Sequence, residues 1–353
     1  MSRRSPSPSS ATLRVGFIAL TDAAPLIVGV EHGYFARRGL KVELRREVGW
    51  ATIRDKVLYG ELDAAHALAP LLWAAQLGLG CGATDVCTGL VLNLHGNAIT
   101  LSSRLRAAGV IDDATLRAEA LRRRGENKLT FGIVFPHSMH HLLLRQWLSA
   151  ARIDPDRDVR IAIVPPAQMH RNLAAGTLDG YCSGEPWNTL AVQEGTGWCP
   201  ARSATLAPGH VEKVLMVRHQ FAAKQPDEHA ALIAATAEAA AWCDEPQNRA
   251  PLAELLAAPH YLNVAARVIA PALLGRFVSG AGPAENVPDF HIFSRGEASV
   301  PTVARAADLQ AELVAAGLVP RGLVDAGLPR RLFREDLYRS ATATSHHHAP
   351  IQK

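Results

Sequence analysis

Strand-like and helix-like segments alternate along this chain, pause at NAITLSSRL (97–105) and resume near residue 129. That rhythm restricts the chain to α/β architectures. LRVGFIAL (13–20) reads as a buried strand. TDAAPLIVGVEHGYFARRG (21–39) follows as a helix, with Asp22 the expected N-cap and Gly39 the stop. KVELRRE (41–47) is a second strand, ATIRDKVLYGEL (51–62) a helix of near-3.6 period, and DAAHALAP leads into a third strand–helix passage. The second series runs from LTFGIVF (129–135) through DVRIAIVPP (158–166) to DGYCSGEP (179–186), each strand followed by a helical stretch. EKVLMVRHQF (212–221) resembles the first series again, and AALIAATAEAAAWC (230–243) is a helix of strong formers.

Two crossings, near 101–108 and 205–215, therefore join two lobes, each expected to be a mostly parallel, doubly wound sheet. Residues 12–104 with 215–335 form one discontinuous lobe and 105–214 the other. A disordered tail (1–11) and a flexible one (336–353) flank them. A chain of 353 residues can bury two such cores. Architectures of this kind take ligands between the lobes, at strand C-termini and helix N-termini.

The net charge of +4 is mild, and its densest basic patch, RRRG (122–125), reads as a solvated helix end, which argues against direct nucleic-acid binding. The start, MSRRSPSPSSATLRVGFIAL, has Ser, Pro and Arg where a secretory signal has an apolar core, so a cytoplasmic location is expected. The most apolar window, ALAPLLWAAQLGLGCGA, is interrupted by Pro70 and Gln76 and reads as buried rather than membrane-spanning. Five cysteines without a C-x-x-C argue against a disulfide framework or a zinc finger and for buried thiols.

FPHSMHH (135–141) places three histidines at a strand-to-helix turn. Zinc needs a third ligand and commonly an H-E-x-x-H glutamate, which this stretch lacks, so no metal is expected. With no G-x-S-x-G, P-loop or G-x-G-x-x-G, no catalytic residue, enzyme activity or cofactor is assigned. Anion capture has physical support: first-turn amides of a helix lack partners, and the macrodipole adds positive potential. Helix starts at Trp50, after Pro166 and after Gly184 repeat the theme.

GFIALTDAAPLIVGVEHGYFARRGLKVEL, GELDAAHALAPLL, LHGNAITLS, FPHSMHHLLLRQWL, VPPAQM, GEPWN and VEKVLMVR together resemble, in order, the NrtA/CmpA family of nitrate- and bicarbonate-binding proteins of ABC transporters. The resemblance runs from about residue 13 to 330 and implies a two-lobed type II periplasmic-binding-protein fold. It is nearest to the cytoplasmic NasS-type nitrate/nitrite sensor, which implies a NasT-like ANTAR-domain, RNA-binding antiterminator as partner. The family's ligand residues carry over as Trp50, Asn97, His140, Pro166, the pair Ser183–Gly184, and Lys213. Asn97 stands for a Gln, and His137 and Ser138 for paired glycines, departures that bear on anion size. Lys213 in the E-K block resembles the nitrate binders and ranks nitrate or nitrite above bicarbonate, whose hydroxyl would favour an acceptor such as Glu. Two other readings stay open: a transport receptor for nitrate or bicarbonate without its signal sequence, and an enzyme like thiamine-pyrimidine synthase, whose cysteine-rich motif is missing here.

Overall fold

The computed structural model describes residues 12–123 and 125–343. The expected tail at 1–11 and residues 344–353 of the one expected at 336–353 lie outside them, as does Arg124 of the basic patch. Ten main strands are β1 (Thr12–Ile18), β2 (Lys41–Glu47), β3 (Ala64–Leu68), β4 (Val86–His95), β5 (Asn97–Ser102), β6 (Thr130–Ile133), β7 (Arg160–Ile163), β8 (Gly180–Gly184), β9 (Gly197–Arg202) and β10 (Val211–Arg218). They form two sheets. One has the order His291–Ile292, β4, β10, β3, β1, β2, and the other β7, β6, β8, β5, β9.

The two-lobed α/β expectation holds, but the sheets are mixed rather than mostly parallel. β2, β1 and β3 are mutually parallel, as are β7, β6 and β8. β10 runs against both β3 and β4, and β5 against both β8 and β9. The cause is topological. Strands of both lobes end at the cleft, so a strand that enters a lobe from the cleft must run against those that end there. β5 enters the second lobe that way and β10 re-enters the first.

This moves the first crossing from the expected 104/105 to Gly96, because β5 already pairs with β8 from Asn97↔Gly184 to Leu101↔Gly180. The second lies between β9 and Val211, so Val211–Val214 belong with the first lobe's sheet. The first crossing is kinked, with φ +63° at His95 and +90° at Gly96. At Gly96 a Cβ would lie 2.3 Å from His291 Cε1, so only glycine fits there.

Burial follows sequence pattern. All ten residues of β4 are buried, whereas edge strand β2, KVELRRE, exposes alternate charged side chains. The helix Pro226–Asp244 packs on Ala24–Glu31 and on β4. Residues 335–343 are a further helix, Glu335–Ala343, which seats Ala341 against that helix, so the flexible stretch expected from 336 does not begin there. Its amphipathic spacing buries one face only. All five cysteines are free thiols, and Cys81 alone of them is not buried. No helix of the described residues is long and apolar enough to cross a membrane.

Candidate functional site

The turn after β1, the ends of β3 and β4 and the start of β10 meet the start of β5, the end of β8 and the first turn of the helix Met139–Ala150. Ser138 caps that helix, with Oγ accepting from the His141 amide at 3.1 Å and donating to Phe135 O at 2.6 Å. The cap consumes the His141 amide and holds the next side chain, His140, fully buried at the lobe seam. His141 turns away, its Nδ1 2.8 Å from Pro136 O, and His137 lies beside the Phe135 ring. The three histidines therefore diverge. Among the described residues, no group of three or more His, Cys, Asp or Glu is placed to hold a metal.

Lys213 is the centre of the cluster and is fully buried. Its Nζ donates to Asp22 Oδ2 at 2.8 Å and to Glu212 Oε1 at 2.6 Å, and lies 5.4 Å from the centre of the Trp50 ring. The free cation expected from the E-K block is thus an ammonium held between two carboxylates. Asp22 is not a helix N-cap; it sits within the short turn Thr21–Ala23 and is committed to Lys213 and to His66, whose Nε2 is 2.8 Å from Oδ1. Glu212 gathers the second lobe. Its Oε2 accepts from Asn97 Nδ2 at 2.6 Å and lies 3.4 Å from His210 Nε2, while Oε1 is 3.6 Å from His140 Nδ1.

Consecutive residues of a strand should face opposite sides of the sheet. Glu212 and Lys213 nevertheless touch, and both are fully buried, where the pairing of β10 with β4 shifts register around Lys213. A bulge of this kind re-aims a side chain.

Ionisation is settled by these contacts. Burial opposes charge on Asp22, but the Lys213 ammonium and His66 outweigh it and hold the carboxyl well below the usual range. Burial likewise opposes charge on Glu212, and Lys213 and His140 outweigh it, with the same result. For Lys213, burial is overcome by Asp22 and Glu212, and its pKa is raised. For His140, burial wins over the Glu212 charge and pushes the ring down to about 4, so it is neutral near pH 7.

Of the seven candidate residues, the structure draws Trp50, Asn97, His140, Gly184 and Lys213 into one cluster. A Cβ on Gly184 would sit 3.4 Å from Asn97 Oδ1 and 3.7 Å from Asp22 Oδ2. Ser183 precedes it, fully buried. Pro166 is buried at the start of the turn Pro166–Gln168, and no described contact ties it to the cluster. Asp22, His66, His210 and Glu212 escaped the sequence reading. The available signals were the carboxylate next to Lys213, a polar residue in the turn that follows β1 and a lone histidine within the otherwise apolar β3.

Several polar atoms around the cluster are buried without a hydrogen-bond partner: Thr21 Oγ1, Trp50 Nε1, Asn97 Oδ1, both ring nitrogens of His140 and Ser183 Oγ. Each such group costs about 1–3 kcal/mol, and folded proteins tolerate few. Their concentration at one seam, drawn from both lobes, is the mark of a place built to receive a small polar guest, with donors in the majority.

A family model described as the NMT1-like family matches residues 6–257. The nitrate import ATP-binding protein NrtC of Synechocystis is 37% identical over 335 residues, covering 93% of this chain and 49% of NrtC. The chain thus spans about half the length of that relative. The nitrate/nitrite binding protein NrtA of Synechococcus elongatus is 33% identical over 346 residues, covering 95% of this chain and 78% of NrtA. The crystal structure of the periplasmic nitrate-binding protein NrtA from Synechocystis superposes with a TM-score of 0.91 at 28% identity, over 96% of this chain and 90% of that one.

Proposed function

The chain belongs to the NMT1-like family, with the NrtA/CmpA-type binding proteins as its homologues, and on that premise we propose that it binds nitrate or nitrite between its lobes. The observation that carries this reading is the set of buried, unpartnered donors that the two lobes bring to the seam, Trp50 Nε1–H and Thr21 Oγ–H from one and Ser183 Oγ–H and a His140 N–H from the other. Nitrate offers only acceptors and suits such a set. Bicarbonate brings a hydroxyl that needs an acceptor; both Glu212 oxygens and Asp22 Oδ2 are engaged, so the unpartnered donors outnumber the remaining acceptors, Asn97 Oδ1 and Asp22 Oδ1, the latter 2.8 Å from His66 Nε2. Titration calorimetry with nitrate, nitrite and bicarbonate tests the reading. Trp50→Phe keeps the wall and removes one donor; loss of a hydrogen bond to a charged ligand, about 1.5–3 kcal/mol, should weaken nitrate roughly 10- to 150-fold. Unaltered nitrate binding by that variant would remove Trp50 from the site.

The regulatory half of the proposal rests on the resemblance to the NasS type. The protein is a cytoplasmic sensor whose closure on nitrate or nitrite releases a NasT-like ANTAR-domain antiterminator that governs nitrate assimilation. A ligand regulates in this way only through unequal affinity for two conformations. The second reading, a solute-binding protein of a nitrate importer, is favoured by relatives named for import. A pull-down of the antiterminator with and without nitrate separates the two: nitrate-sensitive capture supports the sensor, and no capture in either condition supports the importer.

A further inference from the structure

Lys213 and the two buried carboxylates it touches, Asp22 and Glu212, sum to an excess negative charge when the imidazoles around them are neutral. An anion arriving there meets like charge in a place that water cannot screen. His140 stands where this conflict is resolved. One ring nitrogen, Nδ1, lies 3.6 Å from Glu212 Oε1, and neither ring nitrogen has a hydrogen-bond partner. A neutral imidazole has one N–H, so it can face Glu212 or an anion with a donor, but not both. Only the imidazolium presents N–H to both.

We propose that each anion enters together with one proton, which His140 carries between Glu212 and the ligand. The inference rests on the anion-binding reading above and names what accompanies the anion. The proton comes from solvent and bonds to the free ring nitrogen of His140; no other bond is made or broken. The groups facing His140 decide its direction. From β10 come Glu212, which favours the proton, and Lys213, which opposes it; from the turn after β1 comes Asp22, which favours it. His210, on the crossing before β10, opposes it when charged. On β3, His66 is engaged by Asp22, and on the helix of His140 itself His141 is bound to Pro136 O while His137 lies against Phe135. Burial keeps the free ring neutral near pH 7, so the site has room for a proton that the incoming anion can pay for.

His210 is the competing carrier. Its Nδ1 is 2.9 Å from Ala207 O and its Nε2 3.4 Å from Glu212 Oε2, which sets it, like His140, against Glu212.

Nitrate is the probe, because it does not itself titrate near neutrality and any proton taken up is held by the protein. Calorimetric titrations of the full chain at pH 7.5 in triethanolamine and in Tris, cationic buffers whose ionisation enthalpies differ, report the protons absorbed per nitrate. The wild type should absorb close to one, and its Kd should rise by about tenfold per pH unit while the free ring is neutral and the bound ring charged. Glu212→Gln removes the charge that demands the proton, and its uptake should fall toward zero with a flatter pH profile. His210→Gln should retain the uptake. Equal apparent enthalpies in the two buffers with a flat Kd from pH 6 to 8 would overturn the proposal while leaving anion binding intact. Uptake lost in His210→Gln but kept in Glu212→Gln would overturn the assignment to His140. Failure of nitrate, nitrite and bicarbonate all to bind the wild type would overturn the functional reading and this inference with it.

Discussion

Replacing Lys213 by methionine keeps the volume of the side chain and removes the ammonium that joins Asp22 to Glu212. The two contacts, 2.8 and 2.6 Å, are each worth about 6 kcal/mol of gross attraction at an effective dielectric near 20, offset by the cost of burying the ions. What the variant feels is the uncompensated remainder. Breaking one partner out of a buried pair costs about 3–5 kcal/mol. With roughly 2.1 cal/mol/K of unfolding entropy per residue, a chain of 353 residues has about 0.7 kcal/mol/K, so Tm should fall by about 4–7 °C at neutral pH. The loss should depend on pH. In the wild type, Lys213 overrides burial and both carboxyls stay well below their usual range. Without it, burial raises them above their unfolded values, so the variant is stable below those values and loses stability as pH rises through the raised ones. The Tm gap should therefore be wider at pH 8 than at pH 5, and Glu212→Gln added to Lys213→Met should recover part of it. Differential scanning calorimetry of the three proteins at both pH values decides. A gap under about 1 °C, or one equal at both pH values, would refute the claim that Lys213 is the counter-ion of two buried carboxylates.

Gly96→Ala should destabilise the chain by at least about 1–3 kcal/mol, because φ is +90° and the added methyl meets the His291 ring at 2.3 Å; a urea melt reads the loss, and an unchanged midpoint would deny the crossing its strain. Glu185 is fully buried and burial raises its pKa to about 7, so its cost is absent below the unfolded value near 4.5 and grows as pH rises toward 7. Glu185→Gln, whose amide oxygen can still accept from the Thr189 amide, should match the wild type at pH 4 and exceed it by up to about 3 kcal/mol at pH 8, read as paired denaturation curves.

What could be read from sequence was what depends on local pattern. Short stretches signal the helix starts at GWATIRD and FPHSMHH and the strand end at GEPWN, while the choice of Trp50, His140 and Gly184 within them is what the resemblance to the NrtA/CmpA family implies. Asp22 was misread for a sound local reason. An Asp before an apolar helix is the usual cap, and only the distant Lys213 gives it another partner. Glu212 was hidden by strand alternation, which assigns it the face opposite Lys213 until the shifted register between β10 and β4 brings both inward. His66 lies in AAHAL, where every residue is buried and nothing in the stretch names its partner. The mixed sheets were missed because strand direction depends on which side of the cleft the chain enters from, and that is a property of the two lobes together.

The same geometry bounds how such a protein could signal. Direct hydrogen bonds across the seam include Asn97 Nδ2 to Glu212 at 2.6 Å, the Thr21 amide to Glu185 O at 2.8 Å and Trp187 Nε1 to Ala19 O at 3.2 Å. At about 1 kcal/mol each, somewhat more where a charge takes part, they offset only part of the cost of ordering the side chains, so closure without a ligand is modestly unfavourable. Nitrate, with four heavy atoms at a ceiling of ~1.5 kcal/mol apiece, contributes at most about 6 kcal/mol. Shifting a population from 1:99 to 99:1 takes about 5.5 kcal/mol of differential affinity. A tetra-atomic ligand can therefore complete the switch only if closed molecules already make up about one in a hundred or more before it binds. Donor and acceptor dyes at exposed positions of the two lobes, Tyr59 and Ile163, would report the two populations in single-molecule transfer measurements. A minor closed population without nitrate that becomes dominant at saturation is expected. One unchanging distribution, in protein shown by calorimetry to bind nitrate, would mean that binding and closure are separate events and would leave the sensor without its switch.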